Sequence, residues 1–146
     1  MTSNALIPEL YCADFARSLD FYTKVAGFAV RYARPEERFA FLEREGAQLM
    51  IEQPMDPVRT WRTGAMEHPY GRGVNFQIRV SDVAALYARC IAFGARIFLV
   101  LEERWYRRDD ELTGNRQFVV QDPDGYLLRF FQDLGMKPAG RSQPQA

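Results

Sequence analysis

The side chains able to do chemistry in this chain are few, and their spacing narrows them further. There is one histidine, His68, and there are two cysteines, Cys12 and Cys90. A single imidazole excludes any site that draws two or three histidines from one chain. A Ser-His-Asp or Cys-His pair would have to use His68, which stands beside Pro69 in a loop-like stretch, so a surface loop histidine is the preferred reading. The cysteines lack CxxC spacing, and each falls in an apolar-patterned segment, which points to buried free thiols. The other candidates are residues on predicted strands: Tyr11, Met50, Glu52, Asn75, Gln77 and Arg129. They make no nucleophile–base pair. They offer a phenol, a carboxylate, two amides and a fixed cation, groups that hold a ligand.

The elements that must position them follow from periodicity. Leu6 to Cys12 alternates as a strand, with Pro8 marking its start or an edge. Asp14 is an N-cap, Phe15, Leu19, Tyr22 and Ala26 follow at helical spacing, and Gly27 ends the helix. Strands follow over 28–32, 38–44 and 47–53, with turns at 34–37 and Glu45-Gly46. Residues 54–72 read as a linker and surface loop holding Trp61 and Tyr70, with room for a short helix near Val58 to Arg62. Gly73 to Val80 alternates cleanly. Asp82 caps a second helix, with Val83, Leu86, Tyr87, Cys90 and Ile91 at helical spacing and Gly94 closing it. Residues 95–101 read as a strand, and 102–115 as a charged loop holding Trp105 and Tyr106. Asp122-Pro123-Asp124-Gly125 is a tight turn between two strands, 117–121 and 126–132.

Read this way, strand, helix and three strands occur twice. Each capping aspartate is preceded by a strand and followed by a helix, a glycine and another strand. The class is α+β: two βαβββ modules forming a curved mixed sheet with the helices on its outer face. The expected organisation is one domain over 1–132, with modules at 6–54 and 73–132 joined by a linker at 55–72. A polar tail, 133–146, is expected to fray. One face of the first, fourth, fifth and eighth strands is apolar and suits the helices. The opposite face is mixed: Glu9 and Tyr11, Met50 and Glu52, Asn75 and Gln77, Arg129 and Phe131. A mixed face on a curved sheet suits a ligand groove, and it equally suits an exposed surface or a subunit contact.

Charge limits the partners. The chain has 19 basic and 19 acidic residues and no net charge, which argues against a nucleic-acid binder that works by phosphate neutralisation. No apolar run approaches membrane-span length and the N-terminus has no basic-then-apolar pattern, so the expected location is the cytoplasm.

The repeat, with Asp14-Phe15-Ala16-Arg17-Ser18-Leu19-Asp20-Phe21-Tyr22 and Gly27-Phe28, and the Asp122-Pro123-Asp124-Gly125-Tyr126 hairpin resemble the vicinal oxygen chelate superfamily over roughly 6–132. That superfamily includes glyoxalase I, extradiol dioxygenases, fosfomycin resistance enzymes and bleomycin resistance proteins. Its metal enzymes carry ligands at positions that correspond here to Ile7, Glu52, Asn75 and Arg129. Only Glu52 suits a divalent ion, and Arg129 would repel one. The resemblance to the bleomycin resistance branch, which lacks the metal ligands, is stronger. The strand from Tyr126 carries arginine at the vacated position, and 43–52 matches its third-to-fourth strand turn. The resemblance implies a homodimer that holds a flat aromatic antibiotic or metabolite in a groove between subunits, with no metal, no cofactor and no turnover. The implied ligand-binding residues are Tyr11, Phe39, Phe41, Met50, Glu52, Trp61, Asn75, Gln77, Trp105 and Arg129. Glu52 and Arg129 are expected to form an ion pair in the empty groove. The neutral chain tells against bleomycin itself, whose tail is cationic. The alternative is an enzyme of the superfamily with an atypical site, using Glu52 or Tyr11 as a base.

Overall fold

A computed structural model describes residues 2–140. Strand β1 (Glu9–Tyr11) leads to helix α1 (Phe15–Asp20), which continues as a π-helical turn over Phe21–Val25. Asp14 caps α1, its Oδ1 accepting from Arg17 N at 3.1 Å. Strands β2 (Ala29–Arg34), β3 (Phe39–Arg44) and β4 (Ala47–Glu52) complete the first module. The second repeats it: β5 (Asn75–Arg79), α2 (Val83–Ala92) with Asp82 accepting from Ala85 N at 3.0 Å, then β6 (Arg96–Arg108), β7 (Glu111–Gln121) and β8 (Leu127–Pro138).

Each module forms a four-stranded mixed sheet, in the orders β1-β4-β3-β2 and β5-β8-β7-β6. The pairs β1–β4 and β5–β8 are parallel and the others antiparallel. The two ladders are separate but share one core. Leu10, Leu42, Leu49 and Ile51 of the first sheet join Ile78, Phe118, Leu128 and Phe130 of the second, with Tyr22 beside α1 and Val83, Leu86 and Cys90 of α2. These are the apolar faces that alternation assigns to the core. Cys12 and Cys90 are both free and buried, and burial pushes the Cys90 thiol up to about 11.

The Asp-Pro-Asp-Gly turn reverses the chain and also joins the modules. Asp122 Oδ1 accepts from the backbone N–H groups of Asp124 (2.9 Å) and Tyr126 (3.0 Å), and its Oδ2 accepts from the Tyr22 hydroxyl at 2.8 Å. Asp124 is fully buried and accepts from Ala13 N at 3.2 Å, with His68 Nε2 at 2.9 Å and Arg17 Nη2 at 3.5 Å. Tyr126 Oη donates to the Tyr11 carbonyl at 2.8 Å. His68 therefore ties the linker to this junction, its ring stacked on Tyr70 at 4.2 Å. Gly125 has φ +102°, and a Cβ there would run into Pro69.

Three expectations are corrected. Residues 102–115, read as a charged loop, are the paired arms of β6 and β7 around a turn at Asp109-Asp110. Alternating charge hid them, because much of this hairpin is exposed and its pairing rests on cross-strand contacts such as Trp105 with Gly114. The tail does not begin at Asp133: Asp133–Pro138 continue β8 and pair with β7, while 141–146 lie outside the described residues. The first strand is shorter than 6–12, since Pro8 has no N–H to give a ladder. The short linker helix is a single 3₁₀ turn, Pro57–Arg59.

Candidate functional site

The candidate residues carried by strands, Trp105 excepted, fall on the sheet faces that point away from the shared core, and Trp61 stands in the linker. On the first sheet, Tyr11, Glu52, Phe39 and Arg34 pair in register across β1, β4, β3 and β2. Glu9, Met50, Phe41 and Tyr32 form the next row. Phe39 and Phe41 are 3% and 2% exposed, yet they lie outside the core cluster. Tyr32 stacks on Phe41 at 5.1 Å, and the Arg34 guanidinium lies 4.0 Å over the Phe39 ring. These neighbours, on the outer face, help cover them. Glu9 and Glu52 line the same cleft. Burial, reinforced by the Glu52 carboxylate, raises the Glu9 carboxyl above its ordinary range, with Arg34 acting the other way. Trp61 is exposed, sits under the Arg59 guanidinium at 4.7 Å, and donates its backbone N–H to Tyr11 Oη at 2.9 Å. Glu9, Glu52, Arg34, Arg59 and Trp61 line a cleft of about 490 Å³.

On the second sheet, Gln77 and Arg129 pair across β5 and β8, beside Asn75 with Leu127 and Arg79 with Phe131. Arg129 donates from Nε (3.1 Å) and Nη2 (3.0 Å) to Gln117 Oε1 on β7. Gln117 Nε2 donates to Tyr106 Oη at 2.6 Å and Glu102 Oε2 at 3.3 Å. The Arg129 guanidinium stands 5.4 Å from the Tyr106 ring centroid. Sequence reading missed Gln117 and Tyr106 as members of this group. Had 102–115 been read as a strand, alternation would have put Tyr106 on the face of Glu102.

The structure separates residues that the sequence grouped. Within one chain Glu52 and Arg129 do not pair. They stand on different sheets, Glu52 beside Glu9 and Arg129 on Gln117, because strand alternation turns each away from the core that both sheets share. Trp105 lies on the opposite face of β6 from Tyr106, over Gly114, with Lys137 Nζ 3.9 Å from its ring. Its indole is therefore not on the face that carries Arg129.

A family model described as the glyoxalase/bleomycin resistance protein/dioxygenase superfamily matches residues 6–130. The chain belongs to this superfamily. An uncharacterised protein of Mycobacterium bovis is 31% identical, the match covering 84% of this chain and 78% of that protein. A bleomycin resistance protein of Geobacillus stearothermophilus is 27% identical over 88% of this chain and 96% of its own length. Among solved structures, TioX from Micromonospora sp. ML1 superposes with a TM-score of 0.71 at 26% identity, covering 90% of this chain and 100% of TioX. The βαβββ repeat is the architecture of this glyoxalase-superfamily fold.

The metal that the superfamily's enzymes use does not fit the donors here. Of the four corresponding positions, Ile7 has no donor atom and Arg129 is a cation locked onto Gln117. Among the described residues no three His, Cys, Asp or Glu side chains converge for an ion. No helix among them is long and apolar enough to cross a membrane.

Proposed function

We propose that this superfamily member holds a flat aromatic small molecule in a groove made by two copies of the chain and does no chemistry on it. One observation carries the reading: the two candidate faces are on separate sheets that share a core, so within one chain both point outward. A ligand touching both needs Glu52, Tyr11 and Trp61 from one copy and Arg129, Gln77 and Asn75 from another. The aromatic lining of the first face and the amides and cation of the second suit an orienting groove. The similarity to bleomycin resistance proteins supports binding without turnover. Phe39, Phe41 and Met50 floor the first half-site, and Trp61 is the wall free to stack. Trp105 is left out, by its position on the other face.

Tryptophan fluorescence tests this. Titration with metal-free and copper-loaded bleomycin, then with a panel of flat aromatic compounds, is expected to quench saturably at one ligand per chain with at least one compound. Trp61→Phe should remove most of the quench. A chain that stays monomeric and quenches with none of the panel would overturn the proposal. The second reading, a metal-free acid–base enzyme, is favoured by the raised Glu9 carboxyl beside Glu52. Turnover of any bound compound that Glu52→Gln abolishes would establish it in place of sequestration.

A further inference from the structure

We infer that the ligand carries an anionic group, a carboxylate or a similar oxyanion, and that Arg129 receives it with Gln117 and Tyr106 as positioning residues. This rests on the groove reading above and names the chemistry of one end of its occupant.

Arg129 is half-buried on a central strand, and among the described residues no carboxylate lies within ion-pair distance of it. Five other arginines, Arg17, Arg31, Arg34, Arg44 and Arg116, each have such a partner. A guanidinium has five N–H donors, and here one from Nε and one from Nη2 go to a single acceptor, Gln117 Oε1. Both Nη1 hydrogens and one on Nη2 remain, the edge that takes a carboxylate through two parallel bonds.

The orientation of that edge is fixed from behind. Gln117 is 3% exposed, and its amide cannot turn without giving up its bonds to Tyr106 Oη and Glu102 Oε2. The nearby acid, Glu102, bonds this amide and not the guanidinium. A neutral group thus stands between acid and cation, and the positive charge is left for something else to meet. The Tyr106 ring beside the guanidinium steadies its plane. Around it the face holds Gln77 and Asn75, which can donate, and a second cation, Arg79, over the Phe131 ring at 5.9 Å. The first module's cleft sets Glu9, Glu36, Glu37, Glu52 and Asp56 against Arg34 and Arg59, and this acidic balance disfavours an anion, so the second face is the better place for the anionic end of the ligand.

The test uses two probes with one ring system, anthracene-9-carboxylate and 9-anthracenemethanol, titrated by fluorescence against the full chain at physiological salt. The carboxylate is expected to bind roughly ten- to a hundredfold more tightly than the alcohol, the range of a charge-assisted bidentate contact. Arg129→Met should bring the carboxylate down to the alcohol's affinity and leave the alcohol unchanged. Gln117→Glu should do the same with Arg129 still in place, because it sets a carboxylate against the guanidinium. This second variant decides the matter if Arg129→Met fails to fold. Equal affinity for the two probes, or equal weakening of both in the variants, would overturn the anion site while leaving the groove standing. Binding of neither probe would remove the groove and this inference together.

Discussion

At Asp122 a desolvated carboxylate accepts three hydrogen bonds, and burial still outweighs them. Its pKa is pushed up to about 6 from an ordinary 3.8, chiefly by desolvation, while the bonds from Tyr22, Asp124 and Tyr126 pull it down. A raised folded-state pKa means that the native state takes up this proton before the unfolded chain does. Stability should therefore rise as pH falls from about 6 towards 4, and the penalty of the buried charge is fully present above that window. A shift of about two units corresponds to roughly 3 kcal/mol at most. Urea denaturation between pH 4.5 and 8 should show this gain, and Asp122→Asn, which cannot ionise, should flatten the profile. An Asp122→Asn profile as steep as the wild type would place the titration elsewhere. The residue's part in a turn was legible, since Asp-Pro-Asp-Gly reads as one from composition alone. Its bond to Tyr22, 100 positions away, was not, because local pattern carries no information about which loop meets which helix. Trp105 and Tyr106 make the same point: a one-residue offset on a strand exchanges their faces, and only the strand assignment reveals it.

Among the elements, the β7–β8 turn bears the most strain if altered. Gly125 combines a left-handed backbone with Pro69 packed where a side chain would begin. Gly125→Ala should cost about 2 kcal/mol or more, from the unfavourable φ and the displaced linker together. Thermal melts measure the loss, and changed proteolytic cutting near His68 would locate it. A near-neutral effect would mean that the linker is not seated on the turn. Helices and inner strands were legible because each has one apolar side: α2 reads from Val83, Leu86 and Cys90, and β5 from Phe76 and Ile78. The outer arm of β6 and β7 was not. Little of it is buried, so its sequence carries no hydrophobic period, and β-structure there rests on backbone pairing and contacts such as Lys137 over Trp105. The π-helical turn after α1 has no sequence signal that distinguishes it from an ordinary last turn.

For the whole molecule, the repeat of capping aspartates and closing glycines predicted two like modules, and the fold has them. How the modules meet was not legible. Alternation tells which face of a strand is buried but not which sheet is buried against it, so Glu52 and Arg129 were expected to pair in the groove with no indication of whether one chain or two would bring them together. The proposed two-copy groove makes a prediction at this scale. Trp61→Ala and Arg129→Met chains should each bind an anionic aromatic probe poorly, while an equimolar mixture, allowed to exchange subunits, should recover about half of the mixed dimers' sites, since one groove in each mixed dimer is then wild type. No recovery after demonstrated exchange would mean that both residues act on one ligand from the same chain, or not at all. The outward placement of the two faces has a counting consequence. If the acidic face of each copy joins the cationic face of the next, every closed ring contains as many grooves as chains, whether it has two members or more. An open row of the same chains has one groove fewer than its members and an unmatched face at each end, ready to add another copy. Ligand stoichiometry per chain therefore reports whether the assembly closes.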